Sequence, residues 1–455
     1  MKIDSEQIIG ETESLCPTCL SRIQARRVAI GDNVYLDKTC AEHGNFRTII
    51  WRGQPSYESW RVSKPAVYPN VCATDVRNGC PFDCGLCPDH RQHTCCVLLE
   101  VTDRCNLQCP VCFASTGCNR GAPNIRTIGK WYEMLMDSGG PFNIQLSGGE
   151  PTLRDDLPEI ISMGRSLGFS FFQLNTNGLR LAEDALYVHR LKEAGLGCVF
   201  LQFDGTDDAI YDRIRGRSLL ELKKAAISQC NEQQLGVVLV PTIIPGVNDS
   251  NIGAIIKYAI ANMPTVRGVH FQPISYFGRY PKAPEDSDRI TIPEIISEIE
   301  RQTGGLMKQS DFRPPTAENS YCSFNGSFVL MENGELKSRK TGSSCCCSSQ
   351  SSTGGAKRSQ LFVARKWTAG TGASVADTEP SNSSFMNVSS LDAFLERVEN
   401  YSLCISGMAF QDVWNIDLKR LRECFIHVVN PDNRIVPFCA YNLTSSDGRP
   451  LYRPQ

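Results

Sequence analysis

From residue 97 onward the chain alternates between short apolar runs and longer amphipathic stretches, and this rhythm restricts the fold more than any other feature. The apolar runs are CVLLEVT (96–102), FNIQLS (142–147), SFFQLNT (170–176), GCVFLQFD (197–204), GVVLVPTII (236–244) and GVHFQPIS (268–275). Each has strand length, and helix-periodic segments such as IGKWYEMLMDS, LPEIISMGRSLG and SLLELKKAAISQCNEQ separate them. Strand and helix in strict alternation imply a parallel sheet with crossover helices. Six such units fall short of a closed eightfold barrel, so the expected fold is α/β, a partial (β/α)6 TIM-like barrel over residues 97–285. In such sheets chemistry gathers at the C-terminal ends of the strands, and the residues directly after each run are the ones to read.

The rest of the 455 residues divides around this core. Residues 1–66 form a small unit with two cysteine clusters, CPTC and CAEHG, and a strand-like VYLD, and residues 67–96 are a Pro/Gly-punctuated, cysteine-dense connector. Residues 286–455 begin with a short helix, PEIISEIERQ, and a hairpin, CSFNGSFVLMENGELK, that turns at Glu332–Gly334. Within this C-terminal region, 341–384 is Ser/Gly/Thr-rich, reads as partly mobile, and carries Cys345, Cys346 and Cys347 in a row.

Cysteine usage sets the chemistry. The 22 cysteines are clustered, and the polar N-terminal MKIDSEQIIGETES lacks the apolar stretch of a signal peptide. With no run long enough to span a bilayer, the chain reads as cytoplasmic and not integral to a membrane. Clustered thiols in that setting favour metal sites over disulfides. Cys198 and Cys230 sit inside apolar patterns and read as core residues. A formal net charge of −2 offers no basic surface for nucleic acid.

Directly after the first core strand comes TDRCNLQCPVCF, with Cys105, Cys109 and Cys112 in a C-x3-C-x2-C array. Three thiolates on one loop can hold three irons of a 4Fe–4S cluster and leave the fourth open to an exogenous chelator. The amino and carboxylate groups of S-adenosylmethionine (SAM) suit that position, and Phe113 is placed to face the cluster or an adenine. The array resembles the signature of the radical SAM superfamily, and so does the series of polar segments behind it. LSGGEP (146–151) ends the second strand, where Gly148, Gly149 and Glu150 resemble the element that contacts the SAM amino group. NTNG, with Asn175 and Asn177, ends the third strand; QFDG, with Asp204, ends the fourth; PTIIPGVND, from Pro241, follows the fifth. The resemblance implies reductive cleavage of SAM to a 5′-deoxyadenosyl radical and a low-potential electron donor as partner. A non-catalytic iron–sulfur electron carrier or metal-sensing scaffold would explain the cysteines but not GGE, NTNG and the other strand-end motifs.

Further metal sites are expected on either side. GCPFDCGLCPDHRQHTC brings Cys80, Cys84, Cys87 and Cys95 within 16 residues, enough for an auxiliary 4Fe–4S cluster. Cys96 is an alternative to Cys95, and His90 and His93 can ligate or hydrogen-bond to the sulfurs. Near the N-terminus Cys16, Cys19, Cys40 and His43 have the spacing of a mononuclear zinc or rubredoxin-like iron site, with His43 and Cys72 competing as fourth ligand. Cys322, Cys404, Cys424 and Cys439 come from distant segments and could close a second auxiliary cluster.

Taken together, CPTC, CAEHG, CPFDCGLCPDH, CSFNG, CISGMAFQD and PFCAYNLT resemble the archaeal tetraether lipid synthase group, which includes methylases of a hydroxymethyl-dihydropterin. That resemblance covers roughly 14–330 and 400–445 and implies radical chemistry at an unactivated carbon, either C–C coupling of lipid chains or methylation of a heterocycle. The Ser/Gly stretch at 341–384 departs from the pattern and does not read as the wall of a long lipid channel.

Overall fold

The computed structural model describes residues 5–114, 121–339, 354–368 and 395–453. A four-stranded antiparallel sheet comes first: β1 (Gln7–Leu15), β2 (Arg22–Ile30), β3 (Asn33–Cys40) and β4 (Gly44–Arg52), paired in sequence order. Of these the VYLD run had marked only part of β3. The charged exposed face of the other strands hides their period, because only every second residue is apolar.

The alternating region folds as expected. Strands β5 (Cys96–Thr102), β6 (Asn143–Gly148), β7 (Phe172–Thr176), β8 (Cys198–Gln202), β9 (Gly236–Val240) and β11 (Val266–Pro273) pair in parallel, with a two-residue β10 (Thr242–Ile243) beside β11. Helices α1 (Ile125–Asp137), α2 (Leu157–Ser166), α3 (Leu179–Glu183), α4 (Ala185–Glu193), α5 (Asp208–Arg215), α6 (Leu220–Glu232) and α7 (Ile252–Ala261) return the chain between them. Local chemistry sets several of their ends. Asn124 caps α1 through the Thr127 amide (2.9 Å), and Gly216 ends α5 in the left-handed region (φ 80°), where a Cβ would be strained. Ile144, Leu146, Leu174, Val199, Leu201 and Val237 are fully or almost fully buried between the sheet and these helices.

The C-terminal region is woven into the same sheet. Strand β14 (Ser402–Met408) runs parallel to β11, and β15 (Ile426–Val429) runs parallel to β5, one on each edge. Eight parallel strands therefore lie side by side, and no pairing among the described residues joins the two edges into a closed barrel. Beyond β14 sit β12 (Ser323–Leu330) and β13 (Leu336–Ser338), the hairpin that turns at Glu332–Gly334; beyond β15 sits β16 (Ile435–Pro437). Gly407 shows why CISGMAF needs its glycine: a Cβ there would lie 2.4 Å from the Phe324 ring and 2.8 Å from the Phe271 carbonyl.

The PEIISEIERQ run forms helix α8 (Ile292–Gln302), and part of the Ser/Gly-rich stretch beyond it is helical as well. Helix α9 (Gly354–Trp367) lies across the N-terminal ends of the core strands, where the Gln360 amide donates to the Cys95 carbonyl (3.1 Å) and Trp367 packs on Phe200 (ring centroids 4.7 Å apart). The run AKRSQLFVARKW within 341–384 is apolar enough at helical spacing to form this element, and the flanking serines and glycines had obscured it. Cys345, Cys346 and Cys347 lie outside the described residues. Among the described residues no helix is long and apolar enough to cross a membrane.

The N-terminal sheet docks through polar contacts. Arg27 forms a two-pronged ion pair with Asp417 (2.8 and 2.5 Å), and the buried Lys38 ammonium donates to Ser14 Oγ (3.1 Å) and the Val413 carbonyl (2.8 Å). Below this contact, Arg289 and Asp412 pair almost fully buried (2.9 and 3.0 Å), and Asp412 also accepts from the Tyr276 and Trp414 amides. Breaking a buried pair from one side strands the other charge, at about 3–5 kcal/mol, whereas replacing both partners by apolar groups is far less costly. Asp412→Leu or Arg289→Met alone is therefore expected to lower the urea midpoint strongly, and the double variant to recover most of the loss. Equal or additive losses would show that the pair does not act as a buried unit.

Candidate active site and metal centres

The loop after β5 carries Cys105, Cys109 and Cys112 at the C-terminal end of the sheet. Its end is fixed by a two-way backbone bridge between Cys112 and Arg279 (3.0 and 3.1 Å), and Arg279 Nε donates to the Cys109 carbonyl (3.1 Å). All three cysteines border a cavity of about 320 Å³ that extends from this loop into the barrel interior. Burial pushes the Cys105 thiol up to about 11, so only a bound cation would hold it as thiolate at neutral pH.

The GGE turn meets this loop at very short range. The Gly149 amide donates to the Thr102 carbonyl (2.7 Å) and the Glu150 amide to the Arg104 carbonyl (2.8 Å). A Cβ on Gly148 would lie 2.2 Å from the Thr102 oxygen, and one on Gly149 2.1 Å from the Arg104 oxygen. Both glycines thus serve the contact between strand end and cysteine loop, a reason beyond the ligand approach expected from sequence. The buried Glu150 carboxylate accepts from Thr152 Oγ1 (2.7 Å), Thr176 Oγ1 (2.6 Å) and the Asn177 amide (2.7 Å), tying β6 to β7. Asn177 reaches on to Asn106 within the cysteine loop (2.7 Å).

The other strand-end residues divide into two groups. Phe113, Asn175 and Asn177 border the cavity. Asp204 and Pro241 do not. The Asp204 carboxylate is fully buried, held by Arg215 in two contacts (2.7 and 2.8 Å) and by the Thr242 amide (3.1 Å), and it is Arg215 that faces the cavity. Pro241 contributes only its carbonyl, which accepts from Gln272 (2.9 Å). The fully buried Lys223 donates to the Asn177 carbonyl beneath them, and burial lowers its ammonium to about 8 despite the nearby Asp204 charge.

Deeper in, six carboxamides line the lumen, Asn143 and Gln145 on β6, Gln173 and Asn175 on β7, Gln202 on β8 and Gln272 on β11. Gln173 donates to Asn175 (2.8 Å), which approaches Gln145 (3.5 Å). Apolar side chains are interleaved with them: Leu98 is the register neighbour of Gln145 and Val240 that of Gln202. Met408, Phe410 and Phe438 also border the cavity, and α9 supplies Val363 and Trp367. Among the described residues, Glu150 and Arg215, both near the cysteine loop, are the only acidic or basic side chains bordering the cavity besides His270. Burial pushes His270 down to about 4, so it is neutral, and its Nδ1 meets Ser406 Oγ (2.9 Å). Inward-pointing carboxamides at alternate positions of β6 and β7 were visible in NIQLS and FQLNT, but only the strand register shows that they share one lumen.

The N-terminal site assembles four ligands. Cys16, Cys19, Cys40 and His43 bring their ligand atoms within 4.8 Å of one another. Tetrahedral zinc with bonds of about 2.3 Å to sulfur and 2.0–2.1 Å to nitrogen needs sulfurs about 3.8 Å apart and sulfur–nitrogen separations of about 3.5 Å. Cys19 and Cys40 are 3.9 Å apart, and His43 Nδ1 is 3.6 and 3.5 Å from Cys16 and Cys40. These spacings fit a mononuclear metal, and His43 rather than the exposed Cys72 stands at the fourth corner.

Two expected four-cysteine sets do not assemble as read. Cys80, Cys84 and Cys87 surround one small cavity together with His90, but Cys95 lies at the start of β5 and borders the barrel lumen beside Cys96. Sequence proximity misled here, because the turn through His90–Thr94 carries the chain from one face of the sheet to its interior. Cys322, Cys424 and Cys439 lie within electrostatic reach of one another, and Arg420, beside them, donates from Nε to Cys322 Sγ (3.0 Å) and lies near Cys439. Cys404 does not join them: it sits on β14 opposite Gly268, next to Lys366 and Trp367.

Comparison with known proteins places both ends of this architecture. Residues 8–52 match the HMPTM N-terminal zinc ribbon domain, and residues 99–259 match the radical SAM superfamily. A 7,8-dihydro-6-hydroxymethylpterin dimethyltransferase of Methanocaldococcus jannaschii is 35% identical, over 95% of this chain and 93% of its own. A PqqA peptide cyclase of Bradyrhizobium diazoefficiens is 33% identical over 29% of this chain and 34% of its own. Among solved structures, anSMEcpe with bound AdoMet is 17% identical and covers 46% of this chain and 59% of its own, with a TM-score of 0.37.

The ribbon geometry makes a direct prediction about metal. Cys19→Ser or His43→Ala is expected to remove one equivalent of bound metal and to lower the melting temperature, since a closed structural site contributes folding energy. Cys72→Ser should retain the full metal content. Elemental analysis of the three purified variants decides it, and loss of metal in Cys72→Ser alone would reassign the fourth ligand.

Proposed function

Because this chain belongs to the radical SAM superfamily, and within it to the family of the dihydropterin dimethyltransferase it matches, we propose that it methylates a ring carbon of a reduced pterin-like heterocycle. The observation that carries this reading is the mixed lining of the lumen beneath the cysteine loop, where six carboxamides are interleaved with aromatic and aliphatic side chains. A flat heterocycle with an amide-and-amine edge suits such a lining. Carboxamides offer donors and acceptors without charge, and the apolar side chains can take the ring face. A long alkyl chain would make no use of the donors and acceptors that the carboxamides turn to the lumen.

A 4Fe–4S cluster with SAM, when bound, would supply one-electron reductive cleavage of SAM and, through it, hydrogen abstraction from an unactivated carbon. In this reading Cys105, Cys109 and Cys112 hold the cluster, and the Gly148–Gly149 contact keeps their loop in place. Glu150, Asn177 and the loop they tie together form the rim that would face SAM, and Arg215, paired from behind with Asp204, is the cation at the cavity that would meet a ligand carboxylate. The carboxamides hold the substrate below that rim, and α9 limits how deep it can sit. Phe113, tilted against Phe438 (5.9 Å), screens the mouth.

The test is anaerobic reconstitution with SAM, dithionite and 7,8-dihydro-6-hydroxymethylpterin carrying deuterium on its reduced ring carbon. The expected result is 5′-deoxyadenosine that carries deuterium and that is absent from the Cys105→Ala/Cys109→Ala/Cys112→Ala variant. Deoxyadenosine that forms without acquiring deuterium would keep the radical chemistry and rule out this carbon as the site. Gln173→Leu is expected to reduce kcat/KM for the pterin by about 5–150-fold, the cost of one or two buried polar groups left unmatched, with uncoupled SAM cleavage unchanged.

A further inference from the structure

The small cavity bordered by Cys80, Cys84 and Cys87 contains a fourth side chain with ligand chemistry, and it is not a cysteine. His90 is buried (4% exposed) and borders the same cavity. Its Nε2 is 2.8 Å from the Cys424 carbonyl, and a carbonyl can only accept, so that nitrogen carries the proton. The other nitrogen, Nδ1, is left with its lone pair. A histidine that gives one ring N–H to a backbone carbonyl is in the state found for metal ligands, with tautomer and ring orientation both fixed.

The surroundings are built for a polar occupant. The Asp83 carboxylate accepts from the Arg77, Asn78 and Gly79 amides (2.6, 2.6 and 2.7 Å), which fixes the turn that presents Cys80 and Cys84. Arg422 borders the cavity and leaves its buried Nε without a partner, a donor suited to a sulfide or thiolate acceptor. The Cys84 amide accepts no such role, being donated to Tyr452 Oη (3.0 Å).

We propose that Cys80, Cys84, Cys87 and His90 together hold a 4Fe–4S cluster, with His90 Nδ1 as the non-cysteine ligand. The same imidazole then connects this cluster to its neighbour, since the carbonyl that receives its Nε2 proton belongs to Cys424, one of the three cysteines beside Arg420. One side chain therefore bridges two thiolate groups through a ring and a single hydrogen bond. Exchanging a thiolate for a neutral imidazole makes the cluster less negative and raises its reduction potential, the effect that separates histidine-ligated from all-cysteine centres. The assignment is independent of which substrate the lumen takes.

The experiment uses full-length protein with the Cys105→Ala/Cys109→Ala/Cys112→Ala background, so that the SAM cluster is silent. After reconstitution and reduction, pulsed EPR should show a ¹⁴N hyperfine coupling that converts to ¹⁵N when histidine is ¹⁵N-labelled. The coupling should vanish in His90→Cys, which keeps its iron and titrates at a lower potential, and Cys95→Ala should leave iron, sulfide and coupling unchanged. Absence of any histidine coupling in the labelled parent would overturn the proposal without recourse to a variant. So would a coupling that survives in His90→Cys, loss of the cluster in Cys95→Ala, or zinc in place of iron at this site.

Discussion

The contact between the GGE turn and the cysteine loop is the constraint on which the rest of this molecule depends. Two consecutive glycines allow the end of β6 to approach the carbonyls of Thr102 and Arg104 at distances no side chain permits. The resulting amide–carbonyl bonds join the loop that carries three thiols to the strand that carries Glu150. Glu150 then extends the linkage to β7 through Thr176 and Asn177, and Asn177 closes the circuit back to Asn106. A metal-binding loop has no core of its own, and here its rigidity comes from strand ends that are themselves fixed by a buried sheet.

The chain ends serve the same purpose from outside. The sheet would have two open edges after six strands, and β14 and β15 cover them with segments drawn from the last part of the sequence. These same segments deliver Cys424 and Cys439 to one side of the barrel and Met408, Phe410 and Phe438 to its lumen. The N-terminal ribbon is then fastened to residues 412–417 by Arg27, Ser14 and Lys38. Metal sites far apart in sequence are thereby held by one continuous framework.

Much of this was legible in the sequence where local pattern and tertiary role coincide. The six core strands were marked by their apolar runs, and the Cys105–Cys112 array and GGE by spacing that serves one local purpose. The reading failed where a residue's partners are chosen by chain path. Cys95 is eight residues from Cys87 yet enters the lumen, while His90, only three residues away, stays with the thiols. Cys404 sits in a motif as distinctive as those of Cys424 and Cys439, but its strand register points it towards α9. Helix α9 was concealed by its setting in a serine- and glycine-rich stretch. Asp204 was visible at its strand end, but only burial shows that its partner Arg215, and not Asp204 itself, faces the cavity.

Helix α9 also bears on the order of events in the lumen. A guest resting on Trp367 and the carboxamides lies farther from the cysteine loop's rim than a ligand anchored at that rim. The outer ligand then sits above the inner one in a shaft with a floor. The inner guest would have to arrive first and depart last, with SAM as the stopper as well as the reagent. Turnover in such a shaft would be sequential by geometry, the rim ligand the last to enter and the first to leave.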